Sequence, residues 1–238
     1  MKAMIFAAGL GTRFKPFTEK HPKALAVVNH KSLLQRNIEY LQQHNITEIV
    51  VNVHHFGDQI IEAIEKNKGW GSNVVISDEK DEVLETGGGL VKAQHLLKSN
   101  DPFLTINVDI LSNLNIQHLI NFYNNHNTLI ALAVTDRLTS RYFLFNQQNQ
   151  LSGWRNTKTS EEKIVLLQNH YIQKAYSGIA IFNPSIFSLI RQQGKFSLTE
   201  TYLDLAKTQA ILGYDHSSDI ILDVGNIEAI KIAEKHFQ

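Results

Sequence analysis

The sequence contains no cysteine and no excess of charge of either sign. The absence of cysteine excludes disulfides, thiolate zinc sites and cysteine nucleophiles in this chain. Lysine plus arginine equals aspartate plus glutamate at 23 each, so no net field exists to hold nucleic acid or an anionic membrane. We therefore expect neither nucleic acid nor a membrane as a partner, and any phosphate must be held by a local cluster of cations.

Long apolar runs are also missing. The N-terminal stretch MKAMIFAAGLGTR has an apolar run too short for the core of a secretory signal, and no segment approaches the ~18 apolar residues of a membrane span. A cytoplasmic protein is the resulting expectation. Hydrophobic residues make up 43% of the 238 residues, which is enough for a substantial core in one large α/β domain.

Apolar strands alternate with amphipathic helices in the first part of the chain. KAMIFAA (2–8) is a continuous apolar run, typical of a strand buried on both faces, and the helix predicted at 32–45 has Leu34, Ile38 and Leu41 on one face. Further strands are predicted at 47–55, 73–79, 103–109 and 129–135, and further helices at 58–67, 87–99 and 116–126. This alternation indicates an α/β fold with βαβ crossovers and a mostly parallel central sheet covered by helices on both faces.

The pattern changes to short strands after residue 135. RYFLFNQQNQLSGW (141–154) is typical of two strands around a polar turn. More strands are predicted at 163–168, 176–182 and 219–225, and more helices at 198–209 and 226–236. No repeat or low-complexity linker interrupts the chain, so we predict one domain, 1–238, in which an α+β portion (136–238) continues the sheet of the first part (1–135).

Two glycines follow the first strand, in GLGTR (9–13). Glycines at this place allow backbone N–H groups to approach a phosphate closely. The pattern is neither standard nucleotide motif, because Phe14 stands where a dinucleotide fingerprint has its third glycine, and the Gly-Lys-Ser/Thr of a P-loop is absent. A tight turn between strand and helix is the alternative interpretation.

Two cations accompany this loop. The guanidinium of Arg13 can grip two phosphate oxygens as a fork, whereas the ammonium of Lys23 acts as a point charge at one phosphoryl group. Lys23 follows Pro22, which restricts the backbone just before it. A surface lysine is the alternative for Lys23 by itself, but the loop and both cations together favour a phosphate site.

Two of the predicted strands end in aspartates. They are Asp109 in NVDIL (107–111) and Asp223 in LDVGN (222–226). The carboxyl ends of strands border the crevice in which α/β sheets bind ligands. Each aspartate could instead cap the helix that follows it. Two carboxylates on separate strands of one sheet suit a Mg²⁺ ion whose other ligands are waters and phosphate oxygens.

A third glycine cluster is LETGGGL (84–90), where Glu85 and Thr86 add polar groups. Exposed backbone there is suited to pairing with the edge of a base through amide and carbonyl groups. The alternative is a flexible loop before a helix.

Together these motifs resemble the signature of the sugar-1-phosphate nucleotidyltransferases, the nucleoside-diphosphate-sugar pyrophosphorylases. The segments AMIFAAGLGTRFKPFTEKHPKAL, LETGGG, NVD, YSGI and DVGN carry the resemblance in the family's order over almost the whole chain. It implies a Rossmann-like nucleotidyltransferase fold and Mg²⁺-dependent transfer of a nucleotidyl group from an NTP to a sugar 1-phosphate. The short length and the LETGGG and DVG forms look most like the N-acetylmuramate α-1-phosphate uridylyltransferases, which implies UTP, N-acetylmuramate 1-phosphate and a UDP-sugar for peptidoglycan recycling in the cell wall.

The resemblance implies a role for each matched position. Arg13 and Lys23 are the implied catalytic residues, and Asp109 and Asp223 are the implied Mg²⁺ ligands. The positions implied to bind the nucleotide are Ala7, Ala8, Gly9, Gly11, Thr12, Arg13, Lys23, Thr86, Gly87, Gly88 and Asn107.

The C-terminal portion, 136–238, is implied to bind the sugar. Ser177 and Gly178 of YSGI stand where relatives have an Asn-Thr-Gly-like sugar contact, a departure from the family's pattern. GWRNTK occupies the region of the family's Glu-Lys-Pro segment, so Arg155 or Lys158 is expected at the sugar phosphate. A lactyl carboxylate would favour a nearby cation such as Arg155 or Arg141.

The implied reaction requires no protein nucleophile. The sugar phosphate attacks the α-phosphorus in line and pyrophosphate leaves, so positioning and charge neutralisation supply the catalysis. Two alternatives are left open, a mannose- or heptose-1-phosphate guanylyltransferase and a non-catalytic sensor of a nucleotide sugar. A sensor has no reason to keep both metal carboxylates, which disfavours the second alternative.

Overall fold

The apolar strands assemble into a ten-stranded sheet in the computed structural model, which describes residues 1–238. The strands are β1 Lys2–Phe6, β2 Val27–Val28, β3 Lys31–Ser32, β4 Glu48–Val53, β5 Asn73–Asp78, β6 Phe103–Asn107, β7 Ile110–Ser112, β8 Ile130–Thr135, β9 Arg141–Phe145, β10 Leu151–Asn156, β11 Glu161–Ile164, β12 Ile172–Phe182, β13 Ile211–Asp215 and β14 Ile221–Asp223. The α-helices are α1 Leu33–Gln43, α2 Gly57–Lys66, α3 Glu85–Lys92, α4 Gln94–Leu97, α5 Ile116–Asn125, α6 Ile186–Leu189, α7 Leu198–Leu205 and α8 Ile227–His236. None of these helices has the length and apolar character needed to cross a bilayer.

The sheet runs in the order β11-β10-β9-β12-β6-β1-β4-β5, with β8 beside β12 and β13 beside β8. Strands β6, β1, β4 and β5 are parallel to one another, and so are β8 and β13. The long strand β12 is antiparallel to β6, β8 and β9 and joins the two parts of the chain. The predicted α/β class is confirmed, and the C-terminal portion lies on the same sheet.

Helices cover both faces of this sheet, and the alternation along β1 shows why. Ala3 and Ile5 pack into one apolar cluster, whereas Met4 and Phe6 pack into the cluster on the opposite face. Side chains alternate along a strand, so a continuous apolar run buries both faces. The first cluster also holds the predicted helix face of Leu34, Ile38 and Leu41, which are all fully buried. Each such leucine or isoleucine stabilises the fold by about 1.5–3 kcal/mol.

Several strands differ from the predictions. The short strands β2, β3 and β7 were not predicted, and neither was β13. Gly213 weakens the strand pattern of β13; in the fold this glycine leaves room for the Phe145 ring, 2.8 Å from where a Cβ would lie. β14 is shorter than the strand predicted at 219–225 and pairs with β7 in a separate two-stranded ribbon. The expectation that Asp109 and Asp223 lie on strands of one sheet is therefore wrong: β6 ends at Asn107, and the chain leaves the main sheet before β7.

Candidate active site

A cavity of about 470 Å³ opens at the carboxyl ends of β1 and β6. We call it the first cavity. The predicted residues in its wall are Ala7, Ala8, Gly9, Gly11, Thr12, Arg13, Lys23, Thr86, Asn107 and Asp109. Its position at the ends of parallel strands is the place where open α/β sheets bind ligands.

The loop after β1 presents unused backbone donors to the first cavity. The N–H groups of residues 8 to 11 donate to no atom of the protein. Gly11 has a left-handed φ of 60°, and a Cβ on it would lie 2.8 Å from Cγ2 of Thr18, so both conformation and space require glycine. The Thr18 hydroxyl also donates to the Gly11 carbonyl over 2.9 Å. The loop is thus held with consecutive N–H groups free, an arrangement that binds anions.

Lys23 and Asp109 meet in this cavity as an ion pair. Nζ of Lys23 lies 2.5 Å from Oδ2 of Asp109, and Lys23 is only 9% exposed. Pro22 immediately precedes the 3₁₀ helix Lys23–Leu25 and restricts the backbone at the start of that helix. The ammonium also lies 5.8 Å from the ring centroid of Phe14, within cation–π range. A cation and a carboxylate predicted from separate motifs therefore form one buried pair.

Asp223 reaches the same region from β14. Asp223 is exposed, yet the protein around its carboxyl removes enough water to raise the pKa of that group, and the negative charge of Asp109 raises it further. The positive charges of Lys23, Arg13 and Arg137 oppose that rise in the pKa. The two carboxylates thus lie close enough to interact, although Asp109 lies in the turn between β6 and β7 and Asp223 ends β14.

Gly225 allows Arg13 and Asp223 to converge. A Cβ on Gly225 would lie 2.8 Å from Oδ1 of Asp223 and 3.2 Å from Nη2 of Arg13. Both charged groups therefore pack against bare backbone in the DVGN segment. The glycine of this motif has a packing role that its sequence position did not show.

The two carboxylates fit a divalent cation. The negative charge of Asp109 raises the pKa of Asp223, and a bound cation would relieve that repulsion. No group of three or more His, Cys, Asp or Glu side chains in the structure is arranged to hold a metal, so other oxygens must complete the coordination. A small all-oxygen set shared with waters and phosphate is the kind that Mg²⁺ accepts.

A second cavity of about 680 Å³ adjoins the first. Its wall consists of Arg13, Arg137, Thr139, Ser140, Arg141, Phe143, Trp154, Asn156, Lys158, Thr159, Tyr176, Thr199 and Asp223. The two cavities share Arg13. This wall holds four cationic side chains and one carboxylate, so the second cavity favours an anionic ligand.

Arg137 was not among the site residues predicted from the sequence. Its Nη2 donates to the carbonyl of Tyr176 over 3.0 Å, which holds the guanidinium at the cavity wall. The segment RLTSR (137–141) follows β8 and supplies two arginines and two hydroxyls to the same wall. This concentration of cations and hydroxyls directly after a strand was a usable signal.

Gly87 and Gly88 do not line the first cavity. Their N–H groups both donate to the carbonyl of Phe196, over 2.9 and 3.3 Å. A Cβ on Gly87 would lie 2.3 Å from the Phe196 ring, and one on Gly88 would lie 2.1 Å from the Gly194 carbonyl oxygen. The expectation that these amides face a base is not met, because they hold residues 194–196 against α3. Thr86 does line the cavity.

Ser177 and Gly178 lie inside the sheet rather than in either cavity wall. Ser177 is fully buried, and its hydroxyl forms a 2.8 Å hydrogen bond with Nε2 of His216. Gly178 sits at a bulge of β12 with φ 72°, and a Cβ there would lie 2.9 Å from Nδ2 of Asn107. The predicted sugar contact is thus not formed directly; Gly178 makes room for Asn107, which lines the first cavity.

Arg155 faces away from the second cavity. Its neighbours Trp154 and Asn156 line that cavity, whereas Arg155 forms an ion pair with Glu162 of β11. Adjacent side chains along β10 lie on opposite faces of the sheet, and the sequence alone could not decide which face Arg155 takes. Arg141 and Lys158, the other cations expected near the sugar, do line the cavity.

Sequence reasoning also missed Asn52 and Glu79. The Ala7 N–H donates to Oδ1 of Asn52 over 2.7 Å, and Nδ2 of Asn52 donates to Oε1 of Glu79 over 2.7 Å. Glu79 is fully buried, and that burial raises the pKa of its carboxyl. An asparagine inside the apolar run IVVNV was the available signal.

Fold and site together define an α/β protein with a glycine-rich loop, two cations and two carboxylates gathered at the carboxyl ends of its parallel strands. The chain belongs to the nucleotidyl transferase family, whose model matches residues 2–237. Family membership and the relatives described next support sugar-1-phosphate nucleotidyl transfer as its class of activity.

Three similar proteins illustrate the family. N-acetylmuramate alpha-1-phosphate uridylyltransferase of Neisseria meningitidis serogroup B is 29% identical over 234 residues, 98% of this chain and 97% of that protein. Mannose-1-phosphate guanyltransferase 2 of Candida glabrata is 27% identical over 221 residues, 90% of this chain and 59% of that protein. The crystal structure of HddC from Yersinia pseudotuberculosis with GMP-PN has a TM-score of 0.79 at 21% identity, covering 100% of this chain and 99% of that one. The last similarity shows the fold.

Proposed function

We propose that this chain transfers a uridylyl group from UTP to N-acetylmuramate 1-phosphate, giving UDP-N-acetylmuramate and pyrophosphate in a Mg²⁺-dependent reaction. The observation that carries the proposal is the junction of two cavities at Arg13, beside Lys23, Asp109 and Asp223. Transfer between two anionic substrates requires both to be held in line with charge neutralised between them. The similarity to the Neisseria meningitidis enzyme along almost the whole of both chains supports this substrate pair.

In this proposal the first cavity holds the nucleotide. The free N–H groups of residues 8 to 11 and the fork of Arg13 bind the outer phosphates. Lys23 neutralises charge on the α-phosphoryl group and the departing pyrophosphate. Asn107 contacts the nucleoside, and the segment at Thr86 faces the base.

Catalysis then follows from positioning. Asp109 and Asp223 would hold Mg²⁺, which would supply screening of the phosphate charges and orientation of their oxygens. A phosphate oxygen of the sugar forms a bond to the α-phosphorus as the bond from that phosphorus to the pyrophosphate oxygen breaks. Lys23 and Arg13 would neutralise the negative charge that increases on the α-phosphoryl group and the pyrophosphate during this step.

The second cavity holds the acceptor in this proposal. Arg13, Arg137, Arg141 and Lys158 together outnumber the single carboxylate of Asp223 in its wall. N-acetylmuramate 1-phosphate carries a lactyl carboxylate in addition to its phosphate, so it uses this excess of cations better than a sugar phosphate without a second acidic group. Arg137 takes the role first expected for Arg155.

A guanylyltransferase is the second candidate. The similarity to the Candida glabrata enzyme supports it, and so does Glu85 in the wall of the first cavity next to Thr86. A carboxylate can accept from two N–H groups on the edge of guanine, whereas uracil offers one N–H between two carbonyls. Glu85 is therefore the feature of the site that most favours GTP.

The deciding experiment measures kcat/KM from pyrophosphate release. UTP, GTP, CTP and dTTP are each paired with N-acetylmuramate, N-acetylglucosamine, mannose and heptose 1-phosphates in the presence of Mg²⁺. We expect the highest value for UTP with N-acetylmuramate 1-phosphate. A preference for GTP of tenfold or more would replace this proposal with the guanylyltransferase. Nucleotide binding without pyrophosphate release from any pair would indicate the non-catalytic sensor.

A further inference from the structure

A buried chain of polar groups runs along the wall of the first cavity, which includes Asn52, from the loop after β1 to α3. Its members are the Ala7 N–H, the Asn52 amide and the Glu79 carboxylate, joined by two hydrogen bonds of 2.7 Å. Asn52 is 2% exposed and Glu79 is not exposed at all. Buried polar side chains are costly to the fold unless they are matched. The Asn52 amide is matched on both sides, whereas Oε2 of Glu79 is buried without a hydrogen-bond partner.

The chemistry of the partners fixes how the Asn52 amide is oriented. A backbone N–H can only donate, so the atom facing Ala7 must be the amide oxygen. An ionised carboxylate can only accept, so the atom facing Glu79 must be the amide nitrogen. An amide side chain can accept from Ala7 with its oxygen while it donates to Glu79 with its nitrogen, which explains a polar residue between the apolar Val51 and Val53 of β4.

Helix α3 packs directly against Asn52 and Glu79. A Cβ on Gly89 would lie 2.6 Å from Oε1 of Glu79 and 2.9 Å from Nδ2 of Asn52. Helix α3 begins at Glu85, which lines the first cavity. The polar chain therefore ends at the segment opposite the loop where it begins.

We infer that Asn52 and Glu79 are positioning residues that fix the phosphate-binding loop at a set distance from the base-side segment at Glu85 and Thr86. This inference rests on the proposed assignment of the first cavity to a nucleotide. The Asn52 bond anchors the first peptide of the loop and leaves the N–H groups of residues 8 to 11 free for phosphate. The Glu79 bond ties that anchor to the base side. Loss of the link separates the two halves of the nucleotide site.

The test measures the affinity of the full chain for UTP and for GTP by calorimetry with Mg²⁺, in the wild type, Asn52→Ala, Glu79→Ala and the double variant. Each single variant is expected to bind the preferred nucleotide about tenfold more weakly, since a buried partner is left unmatched. The double variant should be no weaker than the weaker single variant, because both residues act in one chain. The acceptor KM should change less than twofold. Single variants within twofold of the wild type, or fully additive losses, would overturn the inference.

Asn146→Ala is the matched control. Asn146 is also buried, and its amide oxygen accepts from the N–H groups of Gln148 and Gln150 in the turn between β9 and β10, away from both cavities. It should lower Tm while leaving nucleotide affinity unchanged. An equal loss of affinity in Asn146→Ala would reduce the Asn52 effect to general destabilisation and contradict a positioning role.

Glu79→Gln covers the case in which the alanine variants do not fold. It preserves volume and can still accept from Asn52, but it loses the negative charge that strengthens this bond, so we expect nucleotide binding about threefold weaker at unchanged Tm. Unchanged affinity in that variant counts against the link. Binding separates the two proposals: a wild type that binds nucleotide but releases no pyrophosphate refutes only the proposed function. Transfer by the wild type together with full affinity in Asn52→Ala refutes only the inference.

Discussion

Single residues at the junction of the two cavities perform distinct electrostatic tasks. Lys23 is buried against Asp109, whereas Arg13 belongs to both cavity walls and packs on the backbone of Gly225. A compact ammonium in a tight pair suits one phosphoryl group, and a forked guanidinium suits several oxygens. This division matches a substrate whose charge is spread along a triphosphate.

Lys23→Met should lower kcat by about 10²–10³-fold, because it removes a cation that acts mainly in the transition state. Pyrophosphate release at saturating nucleotide and acceptor measures this effect. Lys31→Met is the control: Lys31 forms a 2.6 Å ion pair with Glu39 outside both cavities, and its loss should leave kcat unchanged. A change in the nucleotide KM with kcat intact would mean that Lys23 only assists binding.

Asp109→Asn and Asp223→Asn should each abolish turnover and weaken the response to Mg²⁺, while their effects on Tm differ. Desolvation and the charge of Asp109 disfavour ionised Asp223, so Asp223→Asn should keep or raise Tm. Asp109→Asn leaves the ammonium of Lys23 buried without its carboxylate and should lower Tm. Mg²⁺ titrations of activity and thermal melts measure both effects. Asp58→Asn, in the first turn of α2, serves as the control, and full activity in either site variant at limiting Mg²⁺ would remove that residue from the metal site.

At the scale of elements, glycines in two loops have opposite functions. Gly9 belongs to the open loop after β1, and no atom lies within 4 Å of the position that a Cβ on it would take. Gly87 lies in the first turn of α3 and packs against Phe196. The residue before Phe196, Lys195, lines the first cavity. One glycine keeps space for a ligand, and the other allows two protein segments to touch.

Gly87→Ala should therefore destabilise the fold by about 1–3 kcal/mol, because a methyl group is forced into a filled space. Gly9→Ala should leave the free energy of unfolding unchanged but weaken nucleotide binding, since its methyl group stands before the free N–H groups. Urea unfolding and nucleotide titration of the two variants form a matched pair. Equal stability losses at both positions would show that the loop after β1 is packed rather than open.

At the scale of the whole molecule, the sheet joins the two halves of the chain at its centre. β8 belongs to the first 135 residues, yet its two partners, β12 and β13, come from the second part. β12 also pairs with one of the two edges of β6. Each half therefore exposes strand edges and apolar faces that only the other half covers.

A fragment of residues 1–135 should not fold, whereas the full chain should melt in one cooperative transition. The fragment leaves the buried side chains of β8 and the β12-facing edge of β6 uncovered, so we expect weak near-UV circular dichroism and no sharp melt. Addition of the fragment 136–238 should restore both signals. A cooperative melt of 1–135 alone would show that the first part is a domain in its own right.

The sequence by itself determined the alternation of elements, the α/β class, the glycine-rich loop after β1, the two cations and the two carboxylates. These features depend on local properties: apolar periodicity, glycine freedom and the fixed chemistry of Arg13, Lys23, Asp109 and Asp223. These local patterns can be read without knowing which residues are neighbours in the fold, so the motifs could be recognised in order along the chain.

Only the tertiary structure decided which face each side chain takes and which segments meet. Arg155 turns to Glu162 while Arg137 enters the second cavity, and Gly87 contacts Phe196 instead of a base. β14 joins β7 in a ribbon, yet Asp223 still comes within the field of Asp109. Such outcomes depend on strand register and on contacts between residues far apart in sequence. A shift of one residue in register reverses the face of every side chain on a strand, and no local pattern fixes that choice.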